Sequence, residues 1–378
     1  MEGVNKGDMV HSAMEKGSNE SSALQTAYHD LLGIISLMRS QENKKYSAVP
    51  MYSLGRDVCL ILYQINKDVF SSSYVLNPEI KKVRHKVKLS SGNNQKMHED
   101  ILEYHVKKYG DDINNLGFYL EDGNLKGSTL YPTYLFYDST IFKSDNISNA
   151  IFSFFRNVGE LCIQFLQQIS SLTKGTLPFT VPESIVLVDD CGYINKDIHH
   201  TSLYTGDRKS DSIITRLLLI QQELVTCIWL KESINNRVEP DLNNTGYILL
   251  RLLSMKIDQV MDNLENIKKF LPDYFSELNA NCSGELENTM EAYVRSIFSE
   301  CRDLRNMLHY DIHGVNFYDF LAQRKSENEN YINIMINKIL FDFVTPLNEI
   351  ISDYFNIAGL KSIGDIEMIL NRLKSKWF

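Results

Sequence analysis

The sequence lacks the features of disulfide-rich, secreted and membrane-spanning proteins. Its six cysteines form no CxxC pair, which indicates free and mostly buried thiols in a reducing compartment. No apolar run approaches the roughly 18–20 residues of a membrane span, and residues 1–22 contain no apolar signal core. We therefore expect a cytoplasmic protein without a membrane segment.

Glycine and proline are also scarce. The chain of 378 residues has 19 glycines and 8 prolines, and the prolines are sparse after position 190. This scarcity favours long helices over a β protein with many turns. Hydrophobic residues make up 43% of the chain and charged residues 23%, which is typical of a globular protein. The length is sufficient for two domains.

A basic excess is missing as well. The formal net charge is −9, of which residues 1–210 carry −2 and residues 211–378 carry −7. Nucleic-acid-binding proteins usually carry a basic surface, so any contact with RNA would have to be local. The sequence contains no GxGxxG, P-loop or GxSxG motif. No cofactor is therefore expected.

The first half of the chain is predicted to be a mixed, helix-rich region. Residues 1–22 are polar and are expected to form a disordered lead-in, with the mixed region at 23–205. The predicted helices are 23–40, 53–70, 98–110 and 146–172. The aromatic and β-branched content of 127–138 predicts a strand, and 178–194 is also expected to be extended.

The second half predicts a four-helix bundle within residues 210–378. The apolar residues of 244–272 and 284–314 recur in alternating steps of three and four, and helices are also predicted at 210–233 and 327–355. Pro272 and Gly314 are natural helix stops, and Pro346 predicts a kink. A short last helix is expected in 360–378. The predicted fold class is mainly α, with an α+β N-terminal region.

The stretch "CRDLRNMLHYD" at 301–311 gathers polar residues near the end of the third predicted helix. At 100° per residue, Arg302, Arg305 and His309 share one flank of the apolar stripe. A histidine is a natural general acid or base, and arginine binds phosphate. Together they suit metal-free attack by a ribose 2′-hydroxyl on its phosphate, with Asn306 orienting one partner. The alternative is an ordinary polar helix flank with a histidine near the C-terminus.

A helical bundle with Arg-Asn and then His late in its third helix resembles the HEPN superfamily (higher eukaryotes and prokaryotes nucleotide-binding). The resemblance covers about residues 210–355. The family motif is an arginine, four to six residues and a histidine. Six residues separate Arg302 from His309, whereas only two separate the Arg305-Asn306 pair from His309, one fewer than in the more typical form. Either Arg302 is the motif arginine, or the site has decayed.

Many HEPN members are metal-independent endoribonucleases of toxin–antitoxin, antiviral-defence and CRISPR systems. The resemblance implies a homodimer, RNA as substrate, His309 as acid or base, and Arg302 and Arg305 as phosphate ligands. The alternative is a non-catalytic dimerisation, nucleotide-binding or RNA-binding interaction protein. Convergence of these side chains in an open cleft would favour the enzyme. Burial of Arg305 or His309 against an acidic side chain of the same chain would favour the interaction protein.

A second basic feature is "KKVRHKVK" at 81–88, which alternates apolar and basic residues as an exposed strand does. One face of such a strand could follow a phosphate backbone. The alternative is a solvated edge strand whose lysines discourage aggregation. The candidate nucleic-acid ligands are Lys81, Lys82, Arg84, Lys86 and Lys88.

Metal binding is not expected. His309 and His313 have the spacing of a helical metal pair, but no third ligand is apparent. The pair His199-His200, with Asp189 and Asp190 nearby, is interpreted as a loop cluster, and those two aspartates as surface acids.

Overall fold

A computed structural model describes residues 6–40, 48–89, 95–182, 194–233, 244–310 and 314–359. The first helices are α1 (Lys6–Ser40), α2 (Ala48–Gln64), α3 (Pro78–Leu89), α4 (Gln95–Tyr109), α5 (Leu130–Phe136), α6 (Ile147–Leu172) and α7 (Arg208–Ser233). They are followed by α8 (Asn244–Phe270), α9 (Pro272–Asn281), α10 (Glu285–Ser296), α11 (Phe298–Asn306), α12 (Phe317–Glu327), α13 (Tyr331–Lys338) and α14 (Thr345–Phe355).

Two π-helical stretches interrupt these helices. The first π segment (Ile65–Val69) continues α2, and the second π segment (Ile339–Val344) joins α13 to α14. Three strands, β1 (Leu116–Glu121), β2 (Asn124–Ser128) and β3 (Ile194–Ile198), form an antiparallel sheet in the order β2-β1-β3. The predicted mainly α class with some α+β character is confirmed.

Several helices follow directly from the sequence pattern. Helix α4 ends at Gly110, whose φ of +96° suits glycine and whose N–H donates to the Val106 carbonyl at 2.7 Å. Asn146 caps α6 by accepting a hydrogen bond from the Asn149 N–H. Helices α7 and α8 begin and end within two residues of their predicted limits, because their apolar periodicity is unbroken.

The third and fourth predicted bundle helices are each divided. Ile297, with φ −137° and ψ −2°, separates α10 from α11, and α11 ends at Asn306 rather than near Gly314. The fourth, predicted at 327–355, consists of α13, the second π segment and α14, and α12 precedes it as a separate helix. The π segment ends at Val344, two residues before Pro346, at which a kink was predicted. Helix α1 begins at Lys6, before the predicted start at residue 23.

Two predicted strands are helical. The segment 81–88 lies in α3, because Asn77 accepts from the Glu79 N–H at the helix start and Ile80 and Val83 bury one helical face. Residues 130–136 of the strand predicted at 127–138 form α5. That helix is buried on almost every side, so it shows no helical period. In the predicted extended stretch 178–194, residues 183–193 lie outside the described part of the chain.

One hydrophobic core runs through both predicted regions. Buried residues from Ala23 to Ile357 form a single cluster, with α1 packed on α8 and α2 packed on α7 across the predicted boundary at 205–210. Four charged side chains reinforce this junction: Arg56 contacts Asp57 and Glu223 at 3.1 and 2.8 Å, and Lys256 contacts the same two carboxylates at 2.6 and 2.7 Å. All four side chains are at most 5% exposed, and their charges balance.

Helix α7 is the one described segment long and apolar enough to cross a membrane. Within Arg208–Glu232, 94% of the apolar window is buried inside the protein. Its apolar character is therefore explained by its central position in the core.

His105 of α4 predicts a pH dependence of stability. It is fully buried, its Nε2–H donates to the Asn115 carbonyl at 2.8 Å, and its Nδ1 accepts from the Thr133 hydroxyl. The pKa of His105 is lowered to about 4, mainly because the ring is buried; the bond to Asn115 opposes this shift and nearby His200 adds to it.

Above pH 6.5 the ring is neutral in both states, so it adds no pH dependence. Below that pH only the unfolded chain takes up the proton, so the free energy of unfolding falls by about 3 kcal/mol between pH 6.5 and 4 through this group. Denaturant titrations at several pH values in this range give the free energy of unfolding as a function of pH. In His105→Gln this dependence should be less steep, by the equivalent of about one proton. The exposed His85→Gln serves as control. An unchanged slope in His105→Gln would contradict the assignment.

Candidate functional site

The stretch 301–311 alternates between core and surface. Cys301, Leu304, Leu308 and Tyr310 are buried, whereas Arg302, Asn306 and His309 are exposed. Because α11 ends at Asn306, His309 lies in the following turn and not on the helical flank that the sequence predicted. The expected alignment of Arg302, Arg305 and His309 along one helix edge is therefore wrong.

A buried arginine binds the C-terminal end of α11. Arg251 of α8 donates to the Leu304 carbonyl at 3.3 Å and to the Met307 carbonyl at 3.1 Å, two acceptors that the helix end leaves free. Its guanidinium pairs with Asp30 of α1 at 3.0 Å, and both side chains are fully buried. The Tyr310 hydroxyl donates to the same carboxylate at 2.6 Å. The backbone on either side of His309 is thus anchored to α1 and α8.

Arg305 is engaged by two carboxylates of α8. Its Nη1 contacts both Asp258 and Asp262, the latter at 2.9 Å. The Asp258 side chain is 1% exposed, while Asp262 is 54% exposed. Burial raises the pKa of Asp258, and the bond from Arg305 opposes that rise. Burial disfavours the charge on Arg305, but its two carboxylate partners outweigh this and raise its pKa.

His309 contacts the other end of the molecule. The Gln64 side-chain amide donates to His309 Nδ1 at 2.7 Å, and it also donates to Asp68 Oδ2 at 2.7 Å. Asp68 lies in the first π segment, 3.8 Å from the same ring nitrogen. The histidine side chain is 68% exposed, whereas that of Asp68 is 18% exposed. This arrangement leaves the proton of the neutral ring on Nε2.

The other two predicted catalytic residues stand apart from these contacts. Arg302 is exposed, with its guanidinium 5.0 Å from the centre of the Phe298 ring. Asn306 is exposed, and its backbone carbonyl accepts from the His309 N–H at 3.1 Å. The structure therefore directs Arg305 toward α8 and His309 toward the end of α2.

The basic segment of α3 is largely occupied by contacts within the chain. Lys86 is buried, pairs with Asp138 at 2.8 Å and lies 3.8 Å from the centre of the Tyr137 ring, and burial lowers its pKa. Arg84 stacks 3.6 Å from the centre of the Tyr63 ring.

Lys82 contacts Glu79 at 3.4 Å and donates to the Asp138 carbonyl at 3.0 Å. Lys81 is exposed, and the side chain of Lys88 lies outside the part of the chain that the structure describes. The expectation of an exposed basic strand at 81–88 is wrong, because the helix buries one of these cations and stacks another on an aromatic ring.

No group of three or more metal-ligating side chains occurs within the described ranges. His199 donates to the Asp111 carbonyl at 2.7 Å, and His200 accepts from the Asn115 amide at 3.1 Å, so both bond to protein groups. His313, Asp189 and Asp190 lie outside the described residues. No protein-family model, curated protein or solved structure matches the chain.

The residues that contact the motif were not predicted from the sequence. Asp258 and Asp262 are spaced i, i+4 on α8, which places them on one helical face and was the available signal. Asp30 and Arg251 are charged residues within otherwise apolar helical stretches. No sequence feature indicates that Gln64 and Asp68 meet His309, because that contact joins segments 245 residues apart.

Removal of Arg305 tests whether its role is structural. Arg305→Met should leave the buried Asp258 carboxylate without its cation and lower the free energy of unfolding by about 2 kcal/mol. Adding Asp258→Asn should recover most of this loss, whereas adding the exposed Asp262→Asn should recover little. Chemical denaturation of the three variants makes the comparison. Equal stability of Arg305→Met and the unaltered chain would refute the structural role.

Proposed function

We propose that this chain is a non-catalytic, HEPN-like helical interaction protein in which the Arg/His motif holds helices together. The observation that carries this proposal is the double contact of Arg305 with Asp258 and Asp262 of its own chain. Both carboxylates contact Nη1, so a scissile phosphate that binds this nitrogen would have to displace them. Displacement would leave the Asp258 carboxylate, which is 1% exposed, without its cation.

Electrostatics support the same proposal. Arg305 with its two aspartates carries a net charge of −1, which repels an RNA phosphate instead of attracting it. The described cations of α3 compensate only in part, since Lys86 is buried and Arg84 is stacked on Tyr63, whereas Lys81 is exposed. RNA binding is therefore the less favoured of the interaction classes, and protein association is favoured.

We infer that the partner is a second copy of the chain, which meets the exposed side of α13 and the second π segment. Ile334 is 50% exposed and Phe341 is 64% exposed there. Lys338 and Asp342 flank Phe341 in sequence, so an antiparallel two-fold arrangement would place opposite charges across the contact. π-Helical insertions are frequent at functional sites. A cytoplasmic location is part of this proposal.

The self-association is tested by Phe341→Asp. A charge placed in the apolar centre of the contact should convert a dimer to a monomer, as measured by light scattering during size-exclusion chromatography. Phe152→Asp is the matched control, since Phe152 of α6 is 71% exposed and lies outside the proposed face. A monomeric unaltered chain, or a Phe341→Asp chain that stays dimeric, would contradict the proposed face.

The second candidate function is the metal-independent endoribonuclease, as used in toxin or anti-phage systems. His309 favours it: Gln64 holds Nδ1, and Nε2 makes no hydrogen bond to any residue in the described part of the chain. A ring held at one nitrogen and open at the other can donate or accept a proton. Arg302 is exposed and has the six-residue motif spacing.

One assay separates the two functions. Purified protein is incubated with single-stranded RNA in EDTA, alongside His309→Ala, Arg302→Ala and the matched surface variant Arg295→Ala. The interaction protein should give no cleavage above the level of a buffer blank. Cleavage that disappears in His309→Ala and Arg302→Ala but persists in Arg295→Ala would establish the nuclease and overturn the first proposal.

A further inference from the structure

An acidic cleft opens beside the last described helix. It has a volume of about 610 Å³ and lies between the end of α9, the start of α10 and one side of α14. Leu278, Ile350 and Tyr354 give it an apolar wall. Its acidic side chains are Glu285, Glu349 and Asp353, all exposed, and its lining includes no lysine or arginine.

The sequence after the last described residue has the complementary character. Within 360–378, apolar residues recur in steps of three and four at Ile363, Ile366, Leu370, Leu373 and Trp377. This spacing places one apolar stripe on a helix. The segment carries a formal charge of +2, with three of its four cations within positions 372–376.

We propose that residues 360–378 bind this acidic cleft of the same chain. The apolar stripe covers the wall formed by Leu278, Ile350 and Tyr354, and the cations at 372–376 face Glu349 and Asp353. The mode is that of an amphipathic helix in a groove, where apolar anchors supply most of the affinity and charges set the orientation.

Chain connectivity favours this occupant over a separate partner. Gly359, directly before this segment, is five residues after Tyr354 of the cleft wall. A segment tethered so close experiences an effective concentration on the order of millimolar, which a free partner would rarely reach. The 19 residues span about 28 Å as a helix. This inference does not depend on the proposed function.

Cys282 reports directly on occupancy of the cleft. It lines the cleft as a half-buried free thiol, while Cys59, Cys162, Cys227 and Cys301 are buried. In the full chain, docking should slow alkylation of Cys282 by iodoacetamide, measured by mass spectrometry of its peptide. The double charge reversal Glu349→Lys with Asp353→Lys should release the segment and raise the rate about tenfold.

The matched control reverses two exposed carboxylates far along the chain, Glu103→Lys with Asp145→Lys. It makes the same change in net charge and should leave the Cys282 rate unaltered. Equal rates in all three proteins would overturn the proposal. Slow alkylation that is lost on dilution would assign the cleft to a second copy and would also overturn it.

Tryptophan fluorescence gives a second readout. The chain has two tryptophans, Trp229 in the core and Trp377 in the segment. In Trp229→Phe the emission comes from Trp377 alone, and docking predicts a blue-shifted maximum with weak acrylamide quenching. Adding the Glu349→Lys and Asp353→Lys reversal should shift the maximum to that of a solvated indole. A solvated Trp377 in the Trp229→Phe chain would overturn the proposal.

Discussion

The buried pair of Asp30 and Arg251 is the contact on which the motif region depends. Burying two charges is expensive, and the pair persists only where further hydrogen bonds satisfy the remaining donors and acceptors. Arg251 meets that condition by donating to the Leu304 and Met307 carbonyls, while Tyr310 donates to Asp30. The same bonds that stabilise the charges therefore satisfy the end of α11. The unusually short spacing between Arg305 and His309 spans that helix end.

This anchoring explains why the polar residues of the motif do not converge. Arg305 lies within α11 and faces α8, where Asp258 and Asp262 hold it. His309 follows the helix end and reaches Gln64 at the end of α2. The stretch 301–311 therefore contacts α8 through Arg305 and the end of α2 through His309. Arg56, Asp57, Glu223 and Lys256 connect α2, α7 and α8 by a second buried network. Both networks cross the predicted domain boundary, so the two regions share one core.

Sequence periodicity was sufficient where a helix buries one continuous stripe, as in α7 and α8, and at a clear stop such as Gly110. It failed in α5, which is buried nearly all round and so lacks a period, and at 81–88, where alternation concealed the stripe of Ile80 and Val83. The candidate site was predictable only in its residue types. Its geometry depends on two contacts between distant parts of the chain. Gln64 is 245 residues from His309, and Asp30 is 221 residues from Arg251. Local sequence patterns do not indicate contacts over such separations.

The distribution of charge also constrains what the bundle can bind. Residues 211–359 carry −9 and residues 360–378 carry +2, which together give the −7 of the C-terminal half. A phosphate backbone approaching such a surface meets repulsion, which salt screens only beyond about 10 Å. A short basic segment meets attraction, strongest at a cleft with acidic side chains and no cation of its own. This distribution of charge is the reason why we propose the basic segment 360–378, and not RNA, as the occupant of the cleft.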